Sequence, residues 1–325
     1  MKAVVAYDYG APETVVLEER PLPQPGPGEV RVAIHRVGVS FVDVLLTAGR
    51  YQVKPPLPYT PGTECSGVVD AVGEGVTHLR TGDRVIAGGM GGALAQYNVY
   101  PAASVRPIPD AMPFDEAAVF RVSYTTAYYA LVQRGRLAKG ETVLVLGAAG
   151  AVGVASIQVA KALGARVIAS ASTEAKRALT RTCGADDAVD STAADWRDQI
   201  KALTDGKGVD VVVDPVGGSA TEPAFRSLGW RGRHLVIGFA QGEIPKLPTN
   251  LPLLKGAALV GVDIRQFGIN EPATYEANVQ ALFALHRDGL LKPAIAARFP
   301  LEAYAEALSM AAAGVTAGRV VVEVA

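Results

Sequence analysis

TVLVLGAAGAVGVASIQVAKALGARVIASAS, running from Thr142 to Ser172, decides how this chain folds. It opens on an apolar β-type run, TVLVL, and passes through Gly147, Gly150 and Gly153. It continues as a helix-type run, VASIQVAKAL, closed by Gly164, and ends on a second β-type run, ARVIASAS. Strand, tight turn, helix and strand in that order make a βαβ unit. Strands this uniformly apolar belong to a parallel sheet covered on both faces. In a turn of this kind Gly147 makes the bend, Gly150 lets backbone approach a pyrophosphate with no Cβ in the way, and Gly153 lets the helix pack close to the sheet. The N–H groups around Ala149, Ala151 and Val152 and the positive end of the helix dipole then face phosphate oxygens. There is no charge between Thr142 and Ala160, a length near that of a bilayer span. The glycine interval and the change of period partway along are explained by a buried strand–turn–helix and not by a membrane helix.

The alternation continues on the C-terminal side. TEAKRALTRTCG is a helix with Gly184 beyond its end, VDVVVDPVGG is a strand and turn, and a helix runs through Phe225. RHLVIGF and AALVGVDI (Ala257 to Ile264) are further strands. On the N-terminal side the first hundred residues are short β-type runs, such as EVRVAIHRVGV and SGVVDAVG, separated by turn signals such as PQPGPGE. Helical material begins near Asp115. The last sixty residues hold a helix from Pro272 to about Asp288 stopped by Gly289, then LKPAIAARF, a helix over Leu301 to Ala313, and a final strand, GRVVVEV. A chain of 325 residues exceeds what one core usually serves. The reading is therefore α/β, with a mostly-β domain over 1–120, a doubly wound parallel sheet over 121–264, and a C-terminal segment over 265–325.

Composition narrows the function. Charged residues are 19%, hydrophobic ones 49%, and the net charge is −1. That is globular, with no electrostatic footprint for nucleic acid or an anionic membrane. Cys65 and Cys183 are too few and too far apart for a disulfide framework, which suggests a reducing compartment. Asp8 interrupts the N-terminus before an apolar region reaches signal-peptide length, so a cytoplasmic location is expected. His35, His78, His234 and His286 are scattered, with none paired at a ligand spacing.

The end of the second strand bears on the cofactor. A site for NAD normally carries Asp or Glu there, bonding the ribose 2′-hydroxyl. This chain has Ser170, Ala171 and Ser172, with Lys176 one helical turn on. Hydroxyls and a cation suit a 2′-phosphate, so NADPH is expected over NADH. Glu174 is assigned to the dipole of the helix that follows.

GVSFVDVLLTAGRY (Gly38 to Tyr51) and PYTPGTECSGVVDAVGEGV (Pro58 to Val76) resemble the paired signatures of the zinc-independent quinone oxidoreductases, relatives of zeta-crystallin among the medium-chain dehydrogenases/reductases. TGDRVIAG, GAAGAVG, DPVGG, VIGFAQGEIP and GRVVVEV extend the likeness over essentially the whole chain. The resemblance implies a GroES-like catalytic domain interrupted by a Rossmann domain, the C-terminal segment returning to the first. It places Ser40, Tyr51 and Thr126 beside nicotinamide or substrate, with Tyr124 and Arg121 as weaker candidates. Along NADPH it places Ser191, Val216, Gly238, Phe239, Ala240 and Arg319. Zinc-dependent relatives carry a cysteine and a Gly-His-Glu sequence where this chain has Ser40 and Gly62-Thr63-Glu64, so no metal is expected. Many quinone reductases have Asn at the position of Ser40 and Arg at that of Thr47, and some have a 2′-phosphate-binding Tyr near Ser191. These departures bear on the substrate.

Without a metal, hydride transfer rests on placing nicotinamide C4 against an electrophilic carbon with water excluded. Tyr51 and Ser40 are the groups expected to hydrogen-bond a developing enolate or hydroquinone oxygen. The first reading is reduction of a quinone or another small hydrophobic electrophile, and the second is reduction of a conjugated C=C bond. A third, from a different class, is a non-catalytic NADPH-binding or RNA-binding protein. A homodimer joined through Ala257–Ile264 is expected, because an apolar last strand is hazardous as an open edge.

Overall fold

A computed structural model describes residues 1–314 and 317–325. The chain divides into two compact units. One is Met1–Val122 together with Ile295–Ala325; the other is Ser123–Ala294.

The first unit begins with a two-stranded antiparallel ribbon, β1 (Lys2–Val5) and β2 (Val16–Glu19). Then come β3 (Glu29–Val39), the short helix α1 (Phe41–Thr47), and the strands β4 (Glu64–Val72), β5 (Arg84–Gly88), β6 (Tyr97–Pro101) and β7 (Arg106–Pro107). β3 is the spine, pairing antiparallel with both β4 and β6. Its alternation sends Val30, Val32 and Ile34 into the core with Val69, Val85 and Leu94, as period-2 patterning requires. The helix α2 (Phe114–Ala117) lies near the end of this stretch, before α3 (Arg121–Tyr128).

The second unit carries α3 into a π-helical turn over Tyr129–Arg134, then alternates strand and helix and closes on two helices. The order is β8 (Thr142–Val145), α4 (Ala151–Ala162), β9 (Arg166–Ala171), α5 (Glu174–Thr182), β10 (Asp187–Asp190), α6 (Trp196–Leu203), β11 (Val209–Asp214), α7 (Thr221–Arg226), β12 (Leu228–Val236), α8 (Asn250–Lys255), β13 (Ala258–Gly261), α9 (Ile264–Asn270) and α10 (Pro272–Arg287). The six strands are all parallel, in the order β10-β9-β8-β11-β12-β13. This is the Rossmann arrangement the βαβ pattern led to. The order reverses between β8 and β11, where open sheets of this type bind ligands outside the carboxyl ends of their strands.

The chain returns to the first unit with β14 (Ile295–Pro300), α11 (Tyr304–Ala313) and β15 (Arg319–Glu323). β15 pairs antiparallel with β3 and completes the GroES-like sheet. The returning segment was expected from residue 265, but α9 and α10 lie in the second unit. Val279, Leu282 and Phe283 of α10 are buried, and Asn278 exchanges hydrogen bonds with Gln133 of the π turn. The last strand of the parallel sheet is also shorter than Ala257–Ile264. It ends at Gly261 because the Asp263 carboxylate caps α9, accepting from the N–H groups of Arg265 and Gln266. No helix among the described residues is long and apolar enough to cross a membrane.

Candidate functional site

The glycine turn joins β8 to α4, and each glycine is required for a different reason. Gly147 sits at φ +55° and a Cβ there would meet Val216 Cγ2 at 2.8 Å. Gly153 packs against the turn itself, its missing Cβ lying 2.4 Å from the Gly147 carbonyl oxygen. Gly150 is the N-cap of α4 in an extended conformation, φ −78° and ψ 174°, and is exposed. A Cβ on Gly150 would meet only the Gly147 carbonyl, at 3.2 Å. Its opening onto solvent is therefore not dictated by packing. With no side chain at the cap, the first N–H groups of α4, on Ala151, Val152 and Gly153, have no acceptor within the helix. Ala151 and Val152 are half-buried, and Ala149 is buried beneath the turn. The residues fit a diphosphate.

The end of β9 is built around an arginine that the sequence reading passed over. Arg177 Nη1 donates to the Ala171 carbonyl at 3.1 Å and pairs with Asp190 at 2.9 Å, while its Nε reaches Glu174. Arg181 also pairs with Glu174, so this acid neutralises two guanidinium groups besides sitting in the first turn of α5. Ser172 is exposed and Lys176 half-buried on either side of the Thr173 cap, and exposed Ser191, just past β10, donates its N–H to the Ala171 carbonyl at 3.3 Å. Ser170 differs: it is 3% exposed, inside the sheet. The hydrogen bonds of the Asp190 carboxylate with Thr192, along with Arg177, hold its pKa below the ordinary value.

Two further loops meet the turn from β11 and β12. Val216 supplies the methyl group over Gly147. Gly217 and Gly218, at φ +70° and +57°, lead into α7. Phe239 crosses Gly217 so closely that a Cβ there would lie 2.8 Å from its ring. Gly238 and Phe239 are half-buried and Ala240 is exposed. Beneath them, the Asp214 carboxylate and the His234 imidazole form a fully buried pair, Nε2 to Oδ2 at 2.9 Å. Thr126 is buried on α3 in this unit, and the Tyr124 hydroxyl donates to Gln158 at 2.7 Å.

In the first unit the polar candidates gather around Asp43, which is 1% exposed. Its Oδ2 accepts from the Ser40 hydroxyl at 2.8 Å and the Ser40 N–H at 2.7 Å, and its Oδ1 accepts from the Thr63 N–H at 2.8 Å. Burial pushes the Asp43 carboxyl above the usual range, the three donors oppose that, and nearby Glu64 adds to it. Ser40 therefore spends its hydroxyl hydrogen on Asp43 and keeps only acceptor capacity. Glu64 pairs with Arg319 at 2.5 Å, both side chains nearly inaccessible, and also accepts from the Val122 N–H. Arg319, expected along the cofactor, is thus committed to a buried ion pair. Tyr51 is half-buried in the bend after α1. Cys65 is buried against the Tyr100 hydroxyl, and burial pushes its thiol up to about 11, as an inert packing residue requires. Cys183 is partly buried, and burial raises its thiol too. Among the described residues no three His, Cys, Asp or Glu side chains are placed to hold a metal.

Residues 26–110 match the family model of the alcohol dehydrogenase GroES-like domain, and residues 151–284 that of the zinc-binding dehydrogenases. The chain is 38% identical to a quinone oxidoreductase-like protein 2 homolog of Nematostella vectensis, over 99% of this chain and 88% of that one. It is 32% identical to the human quinone oxidoreductase, over 94% and 92% of the two chains. The crystal structure of an Escherichia coli quinone oxidoreductase complexed with NADPH superimposes with a TM-score of 0.92 at 27% identity, each chain fully covered. Matched by both family models, and by relatives 38% and 32% identical over 99% and 94% of its length, the chain belongs to the quinone oxidoreductase family of the medium-chain dehydrogenases/reductases.

Proposed function

We propose that this protein is an NADPH-dependent reductase that passes hydride to a quinone or a similar small, hydrophobic electrophile without a metal. The observation that carries the reading is the uncapped, exposed N-terminus of α4 behind Gly150, a cradle that packing alone does not require. Ala149, Gly150, Ala151, Val152 and Gly153 would hold the diphosphate, with Gly147 shaping the turn. Ser172, Ser191 and Lys176 would meet the 2′-phosphate, and Val216, Gly238, Phe239 and Ala240 would lie along the rest. When bound, the nicotinamide supplies the hydride. The protein's part is to orient and to stabilise developing charge. Tyr51 is the donor toward the substrate oxygen. Ser40, its hydrogen held by Asp43, accepts from a hydroxyl or amide. Thr126 lines the nicotinamide end.

The donor set supports a metal-free reaction: Ser40 and Thr63, neither of them Cys or His, stand where zinc-dependent relatives carry ligands, and the Ser40 hydroxyl already donates to Asp43. We also propose a homodimer through β13. That strand is the last in the sheet order, and exposed Trp230, Leu253, Leu254 and Leu259 cluster on β12, α8 and β13 themselves. Steady-state NADPH oxidation against a panel of quinones and a panel of enones tests the function. Turnover of quinones, unaffected by a chelator, is the expected result. Turnover of enones alone would replace the substrate class, and no turnover with either would overturn the reading.

A further inference from the structure

The buried Asp214 carboxylate receives more hydrogen bonds than a structural acid needs, and they run to the loops beside the glycine turn. Oδ1 accepts from the N–H groups of Val216 at 2.9 Å and Gly217 at 2.8 Å. Oδ2 accepts from the Thr221 hydroxyl at 2.7 Å and from His234 Nε2 at 2.9 Å. The Asp214 carbonyl accepts from the Ile237 N–H at 2.9 Å, at the start of the loop that carries Gly238 to Ala240. Pro215 and Val216 extend the seam, their carbonyls accepting from Ala240 and Gln241 at 3.2 and 2.9 Å. The carboxylate only accepts, so Nε2 carries the His234 hydrogen. Nδ1 then faces no partner among the described residues in a site with no solvent access, and Phe225 stacks on the ring at 5.9 Å. Burying an imidazole with one nitrogen unmatched is costly, so something besides packing retains it here. Burial raises the Asp214 carboxyl, and His234, Gly217 and Thr221 together more than offset that, leaving it below its ordinary value.

We propose that Asp214, held by His234 and Thr221, is the positioning residue of the cofactor site: it sets the Val216–Gly217 and Gly238–Ala240 backbones against the glycine turn. This rests on the cofactor reading above. Val216 touches Gly147 from one side and Phe239 covers Gly217 from the other. A change in how Asp214 is held therefore moves the walls of the cradle together, while the six strands stay as they are. The group acts on binding, not on the hydride step.

The test is a fluorescence titration of NADPH into the unaltered protein and into Thr221→Val, Thr221→Ser and Asp214→Asn, with urea unfolding and steady-state kinetics on each. Thr221→Val keeps the shape and removes one donor. We expect it to weaken NADPH three- to tenfold and to raise KM for NADPH by the same factor. We also expect kcat at saturating cofactor within twofold of the unaltered protein, and Thr221→Ser to restore affinity. Asp214→Asn, which places an amide N–H₂ toward His234 and Thr221, is expected to weaken NADPH more than tenfold. A lower urea midpoint with unchanged NADPH affinity in folded Thr221→Val would reduce the pair to structural support and overturn the inference, whether or not Asp214→Asn folds. Failure of the unaltered protein to bind NADPH would instead sink the cofactor reading on which the inference rests.

Discussion

The three turn glycines can be separated by replacing each with alanine, because the same methyl group meets a different obstacle at each position. At Gly153 the new Cβ lies 2.4 Å from the Gly147 carbonyl oxygen and 2.7 Å from two backbone atoms of Ala148. None of these atoms can rotate away, so α4 must retreat from the turn, and overpacking of this kind costs about 1–3 kcal/mol of stability. At Gly147 the obstacle is the backbone, since φ is +55° and an L-residue there costs about 1–2 kcal/mol. Gly150 is already in an extended conformation and its Cβ would meet one oxygen at 3.2 Å. Gly150→Ala should therefore leave unfolding within about 1 kcal/mol of the unaltered protein, with a more restricted unfolded chain offsetting the contact. Its methyl group would, however, sit at the uncapped N-terminus of α4, the place that the diphosphate reading assigns to a phosphate oxygen. Losing one charge-assisted bond to a phosphate oxygen costs about 1.5–3 kcal/mol. That is roughly a ten- to hundredfold weaker Kd for NADPH. Urea unfolding and NADPH fluorescence titration on the three variants read the two effects separately. Unaltered NADPH affinity in Gly150→Ala would refute the assignment of this turn to a diphosphate. Loss of folding equal to that of Gly153→Ala would refute the claim that packing does not require Gly150.

Four further outcomes are expected. Lys176→Ala should weaken NADPH by about 1.5–3 kcal/mol while barely changing NADH, with the difference shrinking as salt rises; equal losses for both cofactors in paired titrations would assign the lysine to the fold. Tyr51→Phe should lower kcat on the best quinone and leave the Kd for NADPH nearly intact, and unchanged kinetics would return Tyr51 to packing. Asp115 bridges Arg36 and Arg298 at 2.6 Å each; burial raises its carboxyl, and the two guanidinium groups outweigh that and hold it below its ordinary value. Its contribution is therefore present above the ordinary carboxylate value and lost as pH falls through the depressed one, so Asp115→Asn should cost about 0.5–1 kcal/mol in urea unfolding at pH 7 and nothing in strong acid. Light scattering should give twice the 33.8 kDa chain mass, and Leu259→Glu, which charges the open edge of β13, should yield monomer.

The Rossmann unit was legible because its signals are local. A change of period from strand to helix, glycines three apart and helix-stopping glycines all lie within a few residues of what they specify. Ser170 shows the limit of that local reading: in a strand buried on both faces, alternation says nothing about which side a hydroxyl faces. The Asp43 cluster joins residues twenty positions apart, and only half of it, the Ser40-to-Asp43 spacing of a capping box, leaves a trace in the sequence. The Asp214–His234 pair depends on the register of β11 against β12, where Val212 rather than Asp214 lies opposite His234. No single-sequence pattern specifies that offset. The end of β13 was misplaced because VDI continues the apolar run, and the capping role of Asp263 outweighs strand propensity.

The pairing of β15 with β3 has a consequence for how the chain is made. Val39 must wait for Val320 before that edge of its sheet is closed. At a ribosomal pace of about 5–20 residues per second, the delay is roughly 15–60 s. Within that delay the whole Rossmann unit, contiguous in sequence, is synthesised, while β3 leaves the exit tunnel as an apolar strand with one side unmatched. Closure of the β-rich half is thus timed by the arrival of β15, and until then an unpaired edge invites association with neighbouring nascent chains.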